Sequence, residues 1–167
     1  MNYIMHPELK AALPAMRILM VRAQVTVEPA SLELQRATEQ LIDEISKRLT
    51  SDQISQLTPI KKGREAYRTL GKDPTRYRLS AEKLLRRMTK GEGLESINNL
   101  VDLSNYLSAQ LIAPIGTFDF NKIFGTPILD FGREGEAYPC LANYDLSLKG
   151  LPIVKIGRAH VWTPVTA

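Results

Sequence analysis

The chain has 167 residues, of which 44% are hydrophobic and 24% charged, and its formal net charge is +4. This composition is typical of one folded domain and excludes an intrinsically disordered or fibrous chain. No apolar run approaches the ~18 residues that a membrane span requires, and the opening sequence lacks a secretory signal. The single cysteine, Cys140, excludes an internal disulfide framework, so we expect a cytoplasmic protein that does not associate with membranes.

The hydrophobic pattern predicts a strand first and then a series of helices. Residues 16–27 are rich in aliphatic and β-branched side chains, which is typical of a strand. Ser31 is predicted to cap a helix that runs to Leu49, with apolar residues at helical spacing on one face. A second helix is expected to start at Thr58 and to end at Gly71, where a left-handed residue stops helices.

The remaining elements complete an α+β pattern with an N-terminal strand, central helices and C-terminal strands. Ser80 is predicted to cap a helix through Thr89, and Pro114 to end the next one. Residues 97–112 form that next helix, residues 115–118 and 127–131 are expected to be short strands, and residues 151–154 form a final apolar run. The whole is interpreted as one α+β domain.

Positive charge is concentrated in residues 61–90. This window holds eleven basic and three acidic side chains, a net charge of +8, which indicates a polyanionic partner. Tyr67 and Tyr77 lie between the cations and are suited to stacking on unpaired bases. The arginines expected to bind RNA are Arg64, Arg68, Arg76, Arg78, Arg86 and Arg87. The alternative is a solvated surface that binds nothing.

Motifs of established enzyme classes are absent from the sequence. There is neither a phosphate-binding glycine loop nor a Cys/His cluster with metal-ligand spacing, so the sequence predicts no cofactor and no metal. His6 lies near the chain terminus and is interpreted as a solvated residue rather than a catalytic base. The catalytic residues, if there are any, stay unknown at this level, and no oligomeric state is indicated.

Two segments carry a resemblance to a known family. They are GREAYRTLGKDPTRYRLSAEKLLRR at residues 63–87 and INNLVDLSNYLSAQLIAPIGTFDFNKI at residues 97–123. Together they resemble the B3/B4 domain of the bacterial phenylalanyl-tRNA synthetase β-subunit and, more closely, the stand-alone bacterial B3/B4 proteins. The resemblance spans residues 16–154 and implies the α+β fold of that domain.

The resemblance also implies a function, because the synthetase domain edits tRNA mischarged with tyrosine by hydrolysing its ester. Carried over by position, the amino-acid pocket would use Asn98, Ser104, Asn105, Gly116, Thr117 and Phe118. Gly116 stands where the family has a histidine, which puts catalysis in doubt. We therefore expect a tRNA-binding module with a trans-editing hydrolase activity, or else a non-catalytic RNA-binding protein or an amino-acid or small-molecule binder on the same fold.

The C-terminal residues resemble something other than protein. Residues 156–167 read IGRAHVWTPVTA, similar to the translation of a sequencing adapter, and Lys155 fits the same interpretation. We therefore expect a C-terminally truncated domain at residues 1–154 and a non-native tail at residues 155–167. By the resemblance to the B3/B4 domain, the rest of the amino-acid pocket would lie beyond residue 154.

Overall fold

A computed structural model describes residues 2–139, 145–156 and 161–162 of the chain. Within these residues the elements follow the predicted α+β order. They are β1 (Ile4–Met5), α1 (Pro7–Ala12), α2 (Leu32–Arg48), α3 (Ser51–Ile54), α4 (Thr58–Thr69), α5 (Ser80–Met88), α6 (Asn99–Leu111), a 3₁₀ turn (Phe120–Lys122), β2 (Ile128–Phe131), β3 (Ala137–Pro139), β4 (Asp145–Ser147), β5 (Pro152–Lys155) and β6 (Val161–Trp162).

The described residues divide into two compact units. The first unit, which holds the strands, comprises the described residues of Met1–Ala23, Ala66–Asp73 and Phe118–Val165. The second unit, which holds most of the helices, comprises Gln24–Glu65 and Pro74–Thr117. The predicted extents of the domain and of its tail, residues 1–154 and 155–167, stay predictions.

The helical unit is built around α5, which contacts α2, α3 and α6. Its buried core consists of aliphatic and methionine side chains from all of these helices and from α4: Ile45, Ile54, Ile60, Ala81, Leu84, Leu85, Met88 and Ala109. Ser31 caps α2 as predicted, because its hydroxyl accepts a hydrogen bond from Leu34 N at 3.2 Å. Apolar residues at helical spacing thus place one face of each helix on a common core.

The strand-containing unit is organised around a four-stranded sheet in the order β1-β2-β5-β6. β1 runs parallel to β2, whereas β2 pairs with β5 and β5 with β6 in antiparallel register. β3 and β4 form a separate antiparallel pair. α1 packs on β2, and the buried side chains of the unit include Leu9, Leu129, Leu148, Leu151 and Ile153.

A glycine follows β2 where two backbone segments approach closely. Gly132 N donates to Leu151 O at 2.9 Å, and Gly132 O accepts from Gly150 N at 2.8 Å. A Cβ atom at position 132 would clash with the backbone carbonyl of Leu148. A backbone carbonyl cannot move aside as the end of a flexible side chain can. The absence of a side chain is therefore what allows this segment to dock beside the end of β2.

A buried carboxylate in β2 is surrounded by basic side chains. Lys155 Nζ lies 2.9 Å from Asp130 Oδ2, while His6 and Arg133 lie 3.8 and 3.7 Å from Oδ1. Burial alone raises the pKa of Asp130, but the hydrogen bonds from Lys155 and from Phe131 N, together with the charges of Lys155 and His6, outweigh it. The pKa of Asp130 is therefore below its ordinary value, which favours the ionised form.

The depressed pKa of Asp130 predicts a pH-dependent contribution to stability. Because the folded pKa is lower than the unfolded one, the contribution is complete above the unfolded value of about 3.9 and is lost as the pH falls through the folded value. We expect Asp130→Asn to lower the unfolding free energy by about 2 kcal/mol at pH 7. Urea titrations of both proteins from pH 7 to pH 3 will show the difference narrowing below about pH 4. A difference in unfolding free energy that does not change with pH would show that the ionised carboxylate of Asp130 is not the source of the stability.

The four predicted helices are confirmed at both ends to within two residues. The helix beginning at Thr58 ends before Gly71, which has a φ of 73° and donates to Arg68 O at 2.9 Å. The helix predicted at residues 97–112 is α6. One cap is corrected, because Ser80 is the first residue of α5, its cap is Leu79, and its hydroxyl has no partner among the described atoms.

The strands predicted at residues 16–27 and 115–118 are wrong. Both segments are irregular, and no hydrogen bond between backbone atoms of the described residues ties residues 17–27 to a neighbour. Side chains with strand propensity do not make a strand unless a second segment supplies the ladder. Just before residues 115–118, Ile112 has a φ of 52° and Pro114 lacks the N–H that a ladder requires. The strand predicted at residues 127–131 is β2, and residues 151–154 contribute to β5.

None of the helices in the described part of the chain combines the length and the apolarity needed to cross a membrane. Cys140 and most of the adapter-like segment lie outside the described residues.

Candidate functional site

The start of α6 holds the first of the candidate pocket residues. Asn98 caps this helix, and its Oδ1 accepts hydrogen bonds from Leu100 N at 3.1 Å and from Val101 N at 3.0 Å. One turn later, Ser104 Oγ donates to Leu100 O at 2.7 Å. The polar atoms of both side chains therefore form hydrogen bonds with the backbone of α6, as capping asparagines and helical serines commonly do.

Asn105 is the buried member of the candidate pocket. It lies in the middle of α6 and is among the few polar side chains buried in the described residues. Ser108, one turn further along, is also buried and donates from Oγ to Ala113 O at 2.7 Å. α6 therefore buries two polar side chains, Asn105 and Ser108, on its inward face, which is the structural basis for retaining Asn105 as a pocket candidate.

Gly116, Thr117 and Phe118 lie on irregular backbone after α6. Gly116 and Thr117 belong to the helical unit, together with Asn98, Ser104 and Asn105, whereas Phe118 belongs to the strand-containing unit. Two surface cavities are lined by residues of the strand-containing unit, and none of the six candidate pocket residues lines either of them. The candidate amino-acid pocket thus stays a prediction.

The two aspartates near this segment are structural. Asp102 accepts hydrogen bonds from Ser96 Oγ at 2.5 Å and from Ile97 N at 3.0 Å. Asp119 caps the 3₁₀ turn by accepting from Asn121 N at 3.0 Å. These contacts fix local backbone and leave no paired carboxylates for acid–base chemistry at these positions.

The basic window contains a buried ion-pair cluster. Glu82, in the first turn of α5, is fully buried, and its Oε1 lies 3.1 Å from Arg86 Nε and 3.5 Å from Arg64 Nη1. Arg64 comes from α4 and is itself mostly buried. Two of the six arginines assigned to RNA therefore neutralise an internal carboxylate and link α4 to α5.

The other basic side chains of the window are solvent-facing. Eight of the eleven are exposed: Lys61, Lys62, Arg68, Arg76, Arg78, Lys83, Arg87 and Lys90. Arg87 is partly engaged, since it donates to Gly93 O at 2.9 Å and lies 3.8 Å from Glu92. Arg76 lies in the turn that begins at Pro74 and Arg78 follows that turn, and neither forms an ion pair with another described residue. The exposed charge is thus available to an external anion.

The two tyrosines of the window differ in environment. Tyr67 is partly buried in the strand-containing unit, and this burial raises the pKa of its phenol. Tyr77 is partly buried in the helical unit, with the Arg76 guanidinium 5.7 Å from its ring centroid. Tyr77 is thus the better placed of the two for stacking beside a cation.

The role of Glu82 was not predicted from the sequence, where this residue counts only as one of the three acids that lower the net charge of the basic window. Its spacing from Arg86, four residues along one helix, was the available signal for an ion pair. Nothing in the sequence indicates that Arg64 joins the pair from α4, because that contact depends on how the helices pack.

Comparison with known proteins finds one matching domain family and several curated relatives. The model of a family described as "B3/4 domain" matches residues 62–159. The phenylalanine–tRNA ligase beta subunit of Bartonella henselae is 44% identical over 59 residues, which cover 34% of this chain and 7% of that protein. The same subunit from Neisseria meningitidis serogroup B is 38% identical over 56 residues, with the same coverage of 34% and 7%. These matches span only a small fraction of the relatives' length, and no solved structure matches significantly.

Proposed function

Because the chain belongs to the B3/4 domain family, we propose that it is a tRNA-binding module of the cytoplasm. The observation that carries this proposal is the exposed positive charge at residues 61–90, where five of the eight exposed cations form no ion pair among the described residues. Even without Glu82, Arg64 and Arg86, which pair with one another inside the helical unit, the window keeps nine basic and two acidic side chains, a net charge of +7. Related proteins named phenylalanine–tRNA ligase beta subunit support tRNA as the polyanion.

Arg76 and Arg78 are the residues on which the proposal is most directly tested. Both are exposed, and both lie in the helical unit beside Tyr77. Contact between such cations and phosphates releases counterions. The logarithm of the binding constant therefore falls by ~0.7–0.9 for each tenfold increase in salt concentration and each phosphate contact. Tyr77 would add stacking on an unpaired base, a contact that depends little on sequence.

Reversing the charge of these two arginines will weaken tRNA binding. We expect Arg76→Glu/Arg78→Glu to lower affinity at least ~10-fold at low salt and to reduce the salt slope by about 1.5. The measurement is fluorescence anisotropy with labelled tRNA at several salt concentrations. Arg36→Glu/Arg48→Glu is the matched control, since it makes the same charge change at exposed positions on α2 outside the window. Salt-independent binding, or an equal loss in the control, would refute the proposal.

Hydrolysis of misacylated tRNA in trans is the second candidate, and the family membership favours it. In this mechanism water attacks the aminoacyl ester, Ser104 and Asn105 orient the amino acid, and the backbone at Gly116 and Thr117 approaches the ester. Asn105 is the best-placed of these side chains, because its burial excludes competing water. The absence of an imidazole at Gly116 leaves positioning and backbone donors as the sources of catalysis.

A deacylation assay separates an editing module from a purely binding one. An editing module releases amino acid from a panel of mischarged tRNAs, and Asn105→Ala abolishes release while leaving tRNA affinity unchanged. Absence of turnover on the whole panel, with intact salt-sensitive tRNA binding, would leave the non-catalytic module as the function.

A further inference from the structure

A second feature of the chain that is suited to RNA lies outside the basic window, in a cavity of the strand-containing unit. This open cavity of about 320 Å³ is lined by Asn2, Arg22, Phe120, Gly125, Thr126 and Pro127. Its volume is at the lower end of the range for small-ligand sites, so it fits a single base or sugar rather than a protein segment. The lining combines an aromatic ring, a cation and small polar groups.

Arg22 and Phe120 form the wall of this cavity. The Arg22 guanidinium carbon lies 3.8 Å from the centroid of the Phe120 ring, which is a close cation–π contact. This contact holds the guanidinium against the ring, and its hydrogen-bond donors have no acceptor among the described residues. A guanidinium held in this way is pre-organised, so a ligand loses less entropy on binding it.

The charge of Arg22 is not neutralised within the described residues. No carboxylate there forms an ion pair with it. Arg133 offers a direct comparison, because it lies 4.3 Å from the Phe131 ring in the same unit but is paired with Glu8 at 3.1 Å and with Asp130 at 3.7 Å. Of these two stacked arginines, Arg22 is the one whose charge is available to an external anion.

Exposed aromatic surface adjoins the cavity. Phe120 is 39% exposed, and Phe124, immediately before the lining residue Gly125, is 75% exposed. Gly125 has a φ of 80°, a left-handed conformation that favours glycine, and it begins the segment leading to β2. Exposed phenylalanines beside an unpaired arginine match the composition of surfaces that stack unpaired bases and bind their phosphates.

We propose that this cavity binds an unpaired nucleotide of an RNA strand. The base stacks on the Arg22–Phe120 pair, and the guanidinium donors of Arg22 bind the adjoining phosphate. This site deepens the proposed tRNA-binding function and rests on it, but it uses residues far in sequence from the basic window. It can therefore fail independently of that window.

The test uses the full chain and a six-nucleotide single-stranded RNA carrying 2-aminopurine, whose fluorescence is quenched when the base stacks. We expect saturable quenching by the wild type, and about tenfold weaker binding by Phe120→Leu and by Arg22→Gln. Arg22→Lys retains the charge but not the planar donors, so we expect it to lose at least about threefold in affinity. Should Phe120→Leu fail to fold, the surface substitution Arg22→Lys decides the question.

Arg17→Gln is the matched control for charge. Arg17 is exposed, and among the described residues its guanidinium donates only to Pro14 O and Met16 O and stacks on no ring. We expect its loss to change affinity less than about twofold. Equal losses for Arg17→Gln and Arg22→Gln, or binding of AMP as tight as that of the RNA, would overturn the proposal.

The basic-window variant separates the two hypotheses. If Arg76→Glu/Arg78→Glu weakens tRNA binding while Phe120→Leu leaves both affinity and quenching unchanged, the proposed function stands and the nucleotide site is refuted. If the wild type binds neither tRNA nor the labelled RNA, both are refuted.

Discussion

Replacing Glu82 with glutamine will lower the free energy of unfolding by about 3 kcal/mol, the largest effect expected from removing one charge in this chain. Glu82 is fully buried, and its Oε1 contacts both Arg86 Nε and Arg64 Nη1. The substitution keeps the shape of the side chain but leaves two guanidiniums facing each other without an anion. Their partial exposure to solvent limits the penalty, which would otherwise be larger.

Urea unfolding at pH 7 measures this effect, and Glu92→Gln is its control. Glu92 also pairs with two cations, Arg87 and Lys90, but its side chain is half exposed, so we expect a loss within about 0.5 kcal/mol. The double variant Arg64→Gln/Glu82→Gln will lose less than the sum of its single losses, because it removes one of the stranded charges. A loss for Glu82→Gln as small as that of the control would show that the cluster contributes nothing to stability.

Adding one methyl group at Gly132 will destabilise the strand-containing unit by about 3 kcal/mol, close to the upper end for overpacked sites. The new Cβ meets the backbone carbonyl of Leu148, so relief requires the chain itself to move. That movement would stretch the hydrogen bonds from Gly132 N to Leu151 O and from Gly150 N to Gly132 O. The strain therefore spreads into the pairing of β2 with β5.

Thermal unfolding of Gly132→Ala tests this expectation, and Gly93→Ala provides the comparison. A Cβ at position 93 meets no atom within 4 Å, and Gly93 does not have a positive φ. We expect its unfolding free energy to stay within about 0.5 kcal/mol of the wild type. A Gly132→Ala protein as stable as Gly93→Ala would mean that the two segments do not approach as closely as the structure indicates.

Helices were predictable because their signals are local. Ser31 announces the start of α2, and Gly71 follows the end of α4, each within one turn of the boundary it marks. The strand predicted at residues 16–27 was wrong because strand formation depends on a partner, and propensity holds no information about one. The α+β class was therefore predictable, whereas the pairing order β1-β2-β5-β6 was not.

The candidate binding surface was predictable as a charge but not as a geometry. The count of basic residues does not distinguish Arg76, which is exposed, from Arg64, which is enclosed with Glu82. The Arg22–Phe120 contact joins residues 98 positions apart in the chain. Such pairs arise from tertiary packing, which leaves no periodic pattern in the sequence.

The irregular segment after α1 has a consequence for solubility. Leu19 and Val21 are 86% and 80% exposed, and the four consecutive apolar residues 18–21 lie on backbone without a ladder. Such a run invites pairing between chains into intermolecular sheets, and natural sequences flank it with charged gatekeepers. Arg17 and Arg22 bracket this run on either side. Because these arginines on neighbouring chains repel one another, we expect them to oppose such pairing and thereby to keep the protein dispersed.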